Sequence, residues 1–234
     1  MRVVVTRTPD DALPYMEHVR ALGGEPVCFP LFTIEPVADT LPDLSGVRSL
    51  IFTSRYGVER FAALEPERRW PVFTVGPQTA QAAREAGFSD IYIAPEGYAY
   101  SMVDAITPDN APLFYGRARD AAFPVAAALA EKGVEVRESI LYAARRTALP
   151  PRWEGADIVL FFSARGARIF MEYVEKQGVS KELARTKALC LGAGMIESLS
   201  RVPWRAVEAA ATPDRAGMLA LLDKNMTSQD QDRE

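Results

Sequence analysis

Apolar-rich runs at 3–6, 25–29, 50–53, 72–75 and 91–93 alternate with longer stretches of mixed character, and the alternation returns at 112–115, 135–138, 158–162, 188–191 and 206–209. Short, continuous apolar runs predict strands covered on both faces, and the stretches between them predict helices, the arrangement of parallel α/β units. Pro14 and Pro124 are expected in first helical turns, where a missing N–H costs little. Gly23 and Gly133 are expected at left-handed C-terminal caps.

The two series are copies of one another. Residues 6–27 align with 116–137 at an offset of 110, matching Arg7, Asp10, Ala12, Pro14, Gly23 and Glu25 with Arg117, Asp120, Ala122, Pro124, Gly133 and Glu135. Residues 51–61 align with 160–170 at an offset of 109, keeping Phe52, Ser54, Gly57 and Phe61 against Phe161, Ser163, Gly166 and Phe170. Residues 72–82 then align with 188–198 at an offset of 116, setting Gly76 against Gly192. Matches in this order predict two copies of about 110 residues. The equivalent connectors Leu31 to Pro36 and Leu141 to Arg146 are candidate crossings between domains, and the polar stretch Asn225 to Glu234 is expected to be disordered.

A chain of 234 residues, 48% of them hydrophobic, suffices for one large domain or two small ones. The formal net charge of −4 and pI near 5.3 argue against a nucleic-acid coat, so a bound anion would have to meet local positive charge. The apolar start at Met1 to Thr6 is too short for a signal-peptide core or a membrane span, so a cytoplasmic protein without a membrane partner is expected. Cys28 and Cys190 lie in separate apolar runs and are expected to be reduced, buried side chains. A single histidine, His18, builds neither a Ser-His-Asp triad nor a multi-histidine metal site.

In parallel α/β sheets, ligands bind beyond the carboxyl ends of strands, where loops enter helices. Polar residues gather there. Thr53, Ser54 and Arg55 end a strand and open a helix, with Ser54 a natural N-cap and the following N–H groups suited to an anion. Gly76, Gln78 and Thr79 occupy a second such loop, Ser163 and Gly192 are the counterparts of Ser54 and Gly76, and Arg7 and Arg117 follow the first strand of each copy. Ordinary structural roles compete with each: capping for the serines, helix packing for the glycines, pairing of Arg7 with Asp10 and Arg117 with Asp120, and simple solvation for Arg145 and Arg146. Gly192-Ala193-Gly194 matches the start of a dinucleotide fingerprint, but Glu197 stands where its third glycine belongs.

The ordered set VVVTR, ALGGE, PLFTIEP, LIFTSRYGVERF, TVGPQTAQAAREAGF, the arginine after LFYG, and KGVEVRESILYAARR resembles uroporphyrinogen-III synthase over nearly the whole chain, to about Leu222. The resemblance implies an α/β fold of two flavodoxin-like parallel-sheet domains joined by a two-stranded connector, with the active site in the interdomain cleft. It implies a first domain of residues 1–30 plus 147–225, a second of 37–138, connectors at 31–36 and 139–146, and a disordered tail at 226–234. The repeat fits this exchange and fits simple tandem domains as well. The implied reaction is cyclisation of hydroxymethylbilane with loss of water and inversion of ring D, with no cofactor and no metal. Tyr142 matches the family's implicated tyrosine and would assist departure of water, while Thr53, Ser54, Gln78, Thr79, Ser163 and Gly192 would hold substrate carboxylates. Implied as partners are the linear tetrapyrrole and hydroxymethylbilane synthase as its donor, with the protein itself a monomer. Two departures from the family pattern, Phe162 before Ser163 and Gly194-Met195 after Gly192, remove two hydroxyls. They keep open an alternative, a tetrapyrrole- or anion-binding sensor without turnover.

Overall fold

The computed structural model describes residues 1–95, 97–150 and 152–227. In chain order the first elements are β1 (Arg2–Val5), α1 (Pro9–Ala21), β2 (Glu25–Cys28), β3 (Phe32–Pro36), β4 (Ser49–Phe52), α2 (Arg55–Leu64), β5 (Val72–Thr74), α3 (Pro77–Glu85), β6 (Ile91–Ile93) and α4 (Ala99–Ala105). They are followed by β7 (Leu113–Ala118), α5 (Val125–Glu131), β8 (Val136–Arg146), β9 (Ile158–Phe161), α6 (Ala164–Gln177), β10 (Lys187–Cys190), α7 (Ile196–Leu199), β11 (Ala206–Ala209) and α8 (Arg215–Thr227).

The strands form a sheet of order β11-β10-β9-β1-β2 and another of order β3-β8-β7-β4-β5-β6. The chain divides into a composite unit, Met1–Thr33 with the chain from Arg146 onward, and a middle unit, Ile34–Arg145. In the composite unit β1 and β2 come from the start of the chain, and β1 pairs in parallel with β9, Val3 opposite Ile158 and Val5 opposite Leu160. In the middle unit β4 pairs in parallel with β5 and with β7.

Period-2 alternation explains why the strands read as unbroken apolar runs, since successive side chains enter different cores on the two faces. Val3, Val5, Ile158 and Leu160 pack in one core of the composite unit, and Val4, Val159 and Phe161 in the other. In the middle unit Phe52 and Phe114 share one core, while Ile51, Leu113 and Tyr115 share the second. Cys28 and Cys190 are free thiols, and burial pushes Cys190 up to about 12, where it acts as a small apolar side chain.

Several expectations need correction. Pro14 lies inside α1, because Pro9 starts the helix and Asp10 and Asp11 supply the acidic first turn that suits a helix N-terminus. Pro124 is the residue before α5 rather than one within its first turn. Gly23 and Gly133 do adopt left-handed φ, 76° and 71°, just past their helices. The runs at 135–138 and 141–146 are one strand, β8, whose pattern Glu138-Ser139 had obscured. The C-terminal helix runs through Thr227, so residues 225–227 are not a disordered tail. Asn225 is buried with Met218, Leu221 and Leu222, a helical spacing, and its Oδ1 accepts from Lys187 Nζ at 2.7 Å. Residues 228–234 lie outside the described residues.

Candidate functional site

In the middle unit, the loop between β4 and α2 is held by close packing and by two phenols. Ser54 has extended backbone (φ −154°, ψ 149°), and its hydroxyl accepts from the Tyr56 N–H at 3.4 Å, the N-cap geometry that ends a strand and starts a helix. Two residues past the start of α2, a Cβ on Gly57 would stand 2.8 Å from the Gly116 carbonyl oxygen, so only glycine lets the first helical turn sit this close to β7.

Two tyrosines stand beside this turn. Thr53 Oγ1 lies 3.2 Å from Tyr115 Oη, and Tyr142 packs beside the same turn, its Cε1 3.6 Å from where a Cβ on Gly57 would stand. Tyr142 is buried on β8, with the Tyr56 ring 6.0 Å away. Burial raises its pKa above the ordinary 10.0, outweighing the lowering effect of Ser54, and the neighbouring Tyr115 and Tyr56 add to the rise. Tyr115 is raised too, chiefly by burial, against the opposing effects of Thr53 and Arg117. Both phenols therefore remain protonated at neutral pH.

The expected arginines are differently occupied. Arg55 folds over the Tyr56 ring, 4.3 Å from its centroid, and pairs with Glu59 at 2.7 Å along α2. Arg117 pairs with Glu138 on the adjacent β8 at 2.7 Å, and not with Asp120, because the bulge between Arg117 and Ala118 leaves the arginine facing β8. Glu138 drives the Arg117 pKa further upward. The second loop opens α3: Gly76 is its extended N-cap without a capping side chain, Pro77 begins the helix, Gln78 is exposed and Thr79 is buried. First-turn N–H groups have no partners within their own helix, and here no cap side chain competes for them.

In the composite unit the equivalent places differ. Ser163 caps α6, accepting from the Gly166 N–H at 3.0 Å. Beside it, Phe162 packs on Tyr15 at 4.8 Å and under Arg7 at 5.2 Å. Arg7 pairs with Asp11 at 3.0 Å rather than with Asp10, since a helix that begins at Pro9 makes Asp11 the residue on its side. Gly192 opens a 3-10 turn at Ala193–Met195 that leads into the four-residue α7. Arg145 and Arg146 are exposed, as expected; Arg145 pairs with Glu35 within the middle unit and Arg146 with Glu172 in the composite unit, each at 2.6 Å. His18 pairs with Asp223 at 2.5 Å.

The sequence reading missed Tyr56, Tyr115 and Glu138. An aromatic residue inside an apolar run reads as core, and only the β4–β7 register brings the Tyr115 hydroxyl to Thr53. Among the described residues no cluster of three metal-ligating side chains occurs, and no helix is long and apolar enough to cross a membrane.

A family model described as Uroporphyrinogen-III synthase HemD matches residues 14–220. The chain belongs to the uroporphyrinogen-III synthase family. Its fold is that of solved members. The uroporphyrinogen-III synthetase of Helicobacter pylori is 18% identical, with 96% of this chain and 99% of that chain covered at a TM-score of 0.63. A mutant uroporphyrinogen III synthase of Thermus thermophilus is 19% identical, with 98% and 99% covered at a TM-score of 0.58. A search among curated protein sequences gave no match. The family's activity is this chain's activity: cyclisation of hydroxymethylbilane to uroporphyrinogen III, with loss of water and inversion of ring D, in haem biosynthesis.

Proposed function

We propose that the middle unit supplies the principal substrate-holding surface and the proton donor for this cyclisation. The observation that carries the reading is the packing of Tyr142 on the first turn of α2: its ring lies 6.0 Å from that of Tyr56, and its Cε1 is 3.6 Å from where a Cβ on Gly57 would stand. Hydroxymethylbilane bears acetate and propionate carboxylates, and a helix N-terminus offers such anions free N–H groups and the positive end of its dipole. The first turn of α2, with Thr53 and Ser54, takes one carboxylate, and the first turn of α3, with Gly76, Gln78 and Thr79, takes another. Arg7, Arg55, Arg117, Ser163 and Gly192 contribute to binding as secondary contacts, the arginines as fixed positive charge and the last two through backbone.

The chemistry asks little of the protein beyond placement and one proton donor. Electron-rich pyrroles expel the hydroxymethyl oxygen once it is hydrogen-bonded, and Tyr142 Oη donates to that oxygen as water leaves. Ring D then attacks through its substituted carbon to give a spiro intermediate. The bond from that carbon to the ring C methylene breaks and re-forms at the free α-carbon of ring D with loss of its proton. Holding the carboxylates fixes which carbon is presented first. The protein acts as a cytoplasmic monomer and receives its substrate from hydroxymethylbilane synthase.

A coupled assay from porphobilinogen with hydroxymethylbilane synthase, with products oxidised and isomers resolved, tests this reading. The wild-type chain yields predominantly type III product, and type I product at the uncatalysed level would return the sensor alternative. Tyr142→Phe lowers kcat about 10²-fold, the scale of one lost proton donor, with thermal unfolding unchanged. Unchanged turnover would remove Tyr142 from the mechanism.

A further inference from the structure

Of the two adjacent hydroxyl residues Thr53 and Ser54, Thr53 is engaged by a phenol from a neighbouring strand, Tyr115 on β7, whose Oη lies 3.2 Å from Thr53 Oγ1. Tyr115 itself is 1% exposed, so its ring cannot present a surface to a ligand. Its hydroxyl still reaches Thr53, which is part-buried at the mouth of the loop.

The other copy of the repeat shows what the same position looks like without this bond. In the middle unit Tyr115 stands opposite Ile51 in the β4–β7 register, and Thr53 follows two residues later. In the composite unit Val5 stands opposite Leu160 in the β1–β9 register, and Phe162 follows two residues later. Val5 and Phe162 are thus the counterparts of Tyr115 and Thr53, and they pack in one apolar core. Both members of the pair are polar in one unit and both apolar in the other. A hydroxyl needed only to cap or to fill space would not require a matched phenol. A hydroxyl whose proton must point one way would, because a lone threonine rotor is free to turn.

We propose that Tyr115 is a positioning residue: its hydroxyl donates to Thr53 Oγ1, which leaves the Thr53 proton directed outward to a carboxylate of the linear tetrapyrrole at the start of α2. The inference rests on the proposed binding role of Thr53. A buried phenol kept neutral is a donor that substrate cannot titrate away, so the aim of Thr53 is set before binding.

The test is a double-mutant cycle on the full chain, with KM and kcat measured separately in the coupled assay. Tyr115→Phe and Thr53→Val each raise KM about fivefold, the net scale of one ordinary hydrogen bond, with kcat held within about twofold. The double variant is no worse than Thr53→Val alone, and Thr53→Ser, which keeps the hydroxyl, retains the wild-type KM. Effects on KM that multiply in the double variant, or a Tyr115→Phe enzyme with normal KM beside an impaired Thr53→Val, overturn the inference while leaving Thr53 as a substrate contact. A normal KM in Thr53→Val overturns the binding role of Thr53, and the positioning role falls with it. Loss of kcat with a lowered unfolding temperature in Tyr115→Phe would make the residue structural and would equally overturn the proposal.

Discussion

The two units begin from the same repeat and place a serine-capped helix at the same point, yet their loops have diverged in opposite directions. In the middle unit the residue before the cap serine meets Tyr115, Tyr142 packs beside Tyr56 in the first helical turn, and the second loop opens a nine-residue helix, α3. In the composite unit the residue before the serine is Phe162, sandwiched between Tyr15 and Arg7, and the second loop spends its N–H groups on a 3-10 turn and the four-residue α7. A short helix offers little dipole, and a cation stacked on an aromatic ring and paired with Asp11 is already engaged. Duplication thus supplied two similar frames, and under the proposed function the substrate contacts lie mainly in the middle one.

The comparison is broken most directly at its paired glycines. Gly57→Ala drives a methyl against a backbone carbonyl that cannot yield, and should cost about 2 kcal/mol and disturb the Thr53–Ser54 loop. At Gly166 the added carbon meets only the Ser163 hydroxyl at 3.1 Å and Leu31 Cδ1 at 3.3 Å, both able to move, and better helix propensity offsets the strain. Thermal unfolding and activity should therefore separate the variants, with Gly166→Ala within about 0.5 kcal/mol of wild type. Equal losses would show that the two frames are equally tight.

A smaller effect is expected at Phe162. Phe162→Thr restores the hydroxyl of the family pattern but removes the contacts to Tyr15 and Arg7, costing about 1 kcal/mol in denaturant titration. KM should change by less than about twofold if, as proposed, the middle unit carries the binding hydroxyls. A clear drop in KM would mean that the composite unit's loop limits affinity.

The smallest effect is in pH dependence. Because the Tyr142 pKa is raised, the donor form survives past the ordinary tyrosine value, and the alkaline limb of kcat should fall above 10.0. The linkage has the same sign for stability: a phenol protonated longer in the folded than in the unfolded state stabilises fully below the unfolded pKa, and that stability declines as pH rises beyond it. In Tyr142→Phe the residual rate should lack this limb, and a limb well below 10 would assign the donor elsewhere.

Much of the fold was legible from apolar runs and their repetition, since a buried parallel strand leaves no alternation to misread and Ser54 and Ser163 announce their helices by capping chemistry. What escaped was tertiary. Pro14 drew the start of α1 too late, and the repeated Arg-x-x-Asp spacing pointed Arg7 to Asp10 where the structure pairs it with Asp11. The apolar stripe of α8 was hidden by Asn225, whose burial depends on Lys187 from β10. Tyr115 was invisible as chemistry because its hydroxyl has meaning only across the β4–β7 register.

The strand order of the composite unit also shapes how the molecule can be made. The middle unit is encoded without interruption in Ile34–Arg145, so on a ribosome its sheet can be complete while the rest of the chain is still being synthesised. The composite sheet cannot: β1 must wait for β9, and Arg2 finds Asp157 across 155 positions. Until then Val3, Val4 and Val5 have no strand on that side, so the composite sheet closes only after the whole middle unit has been made.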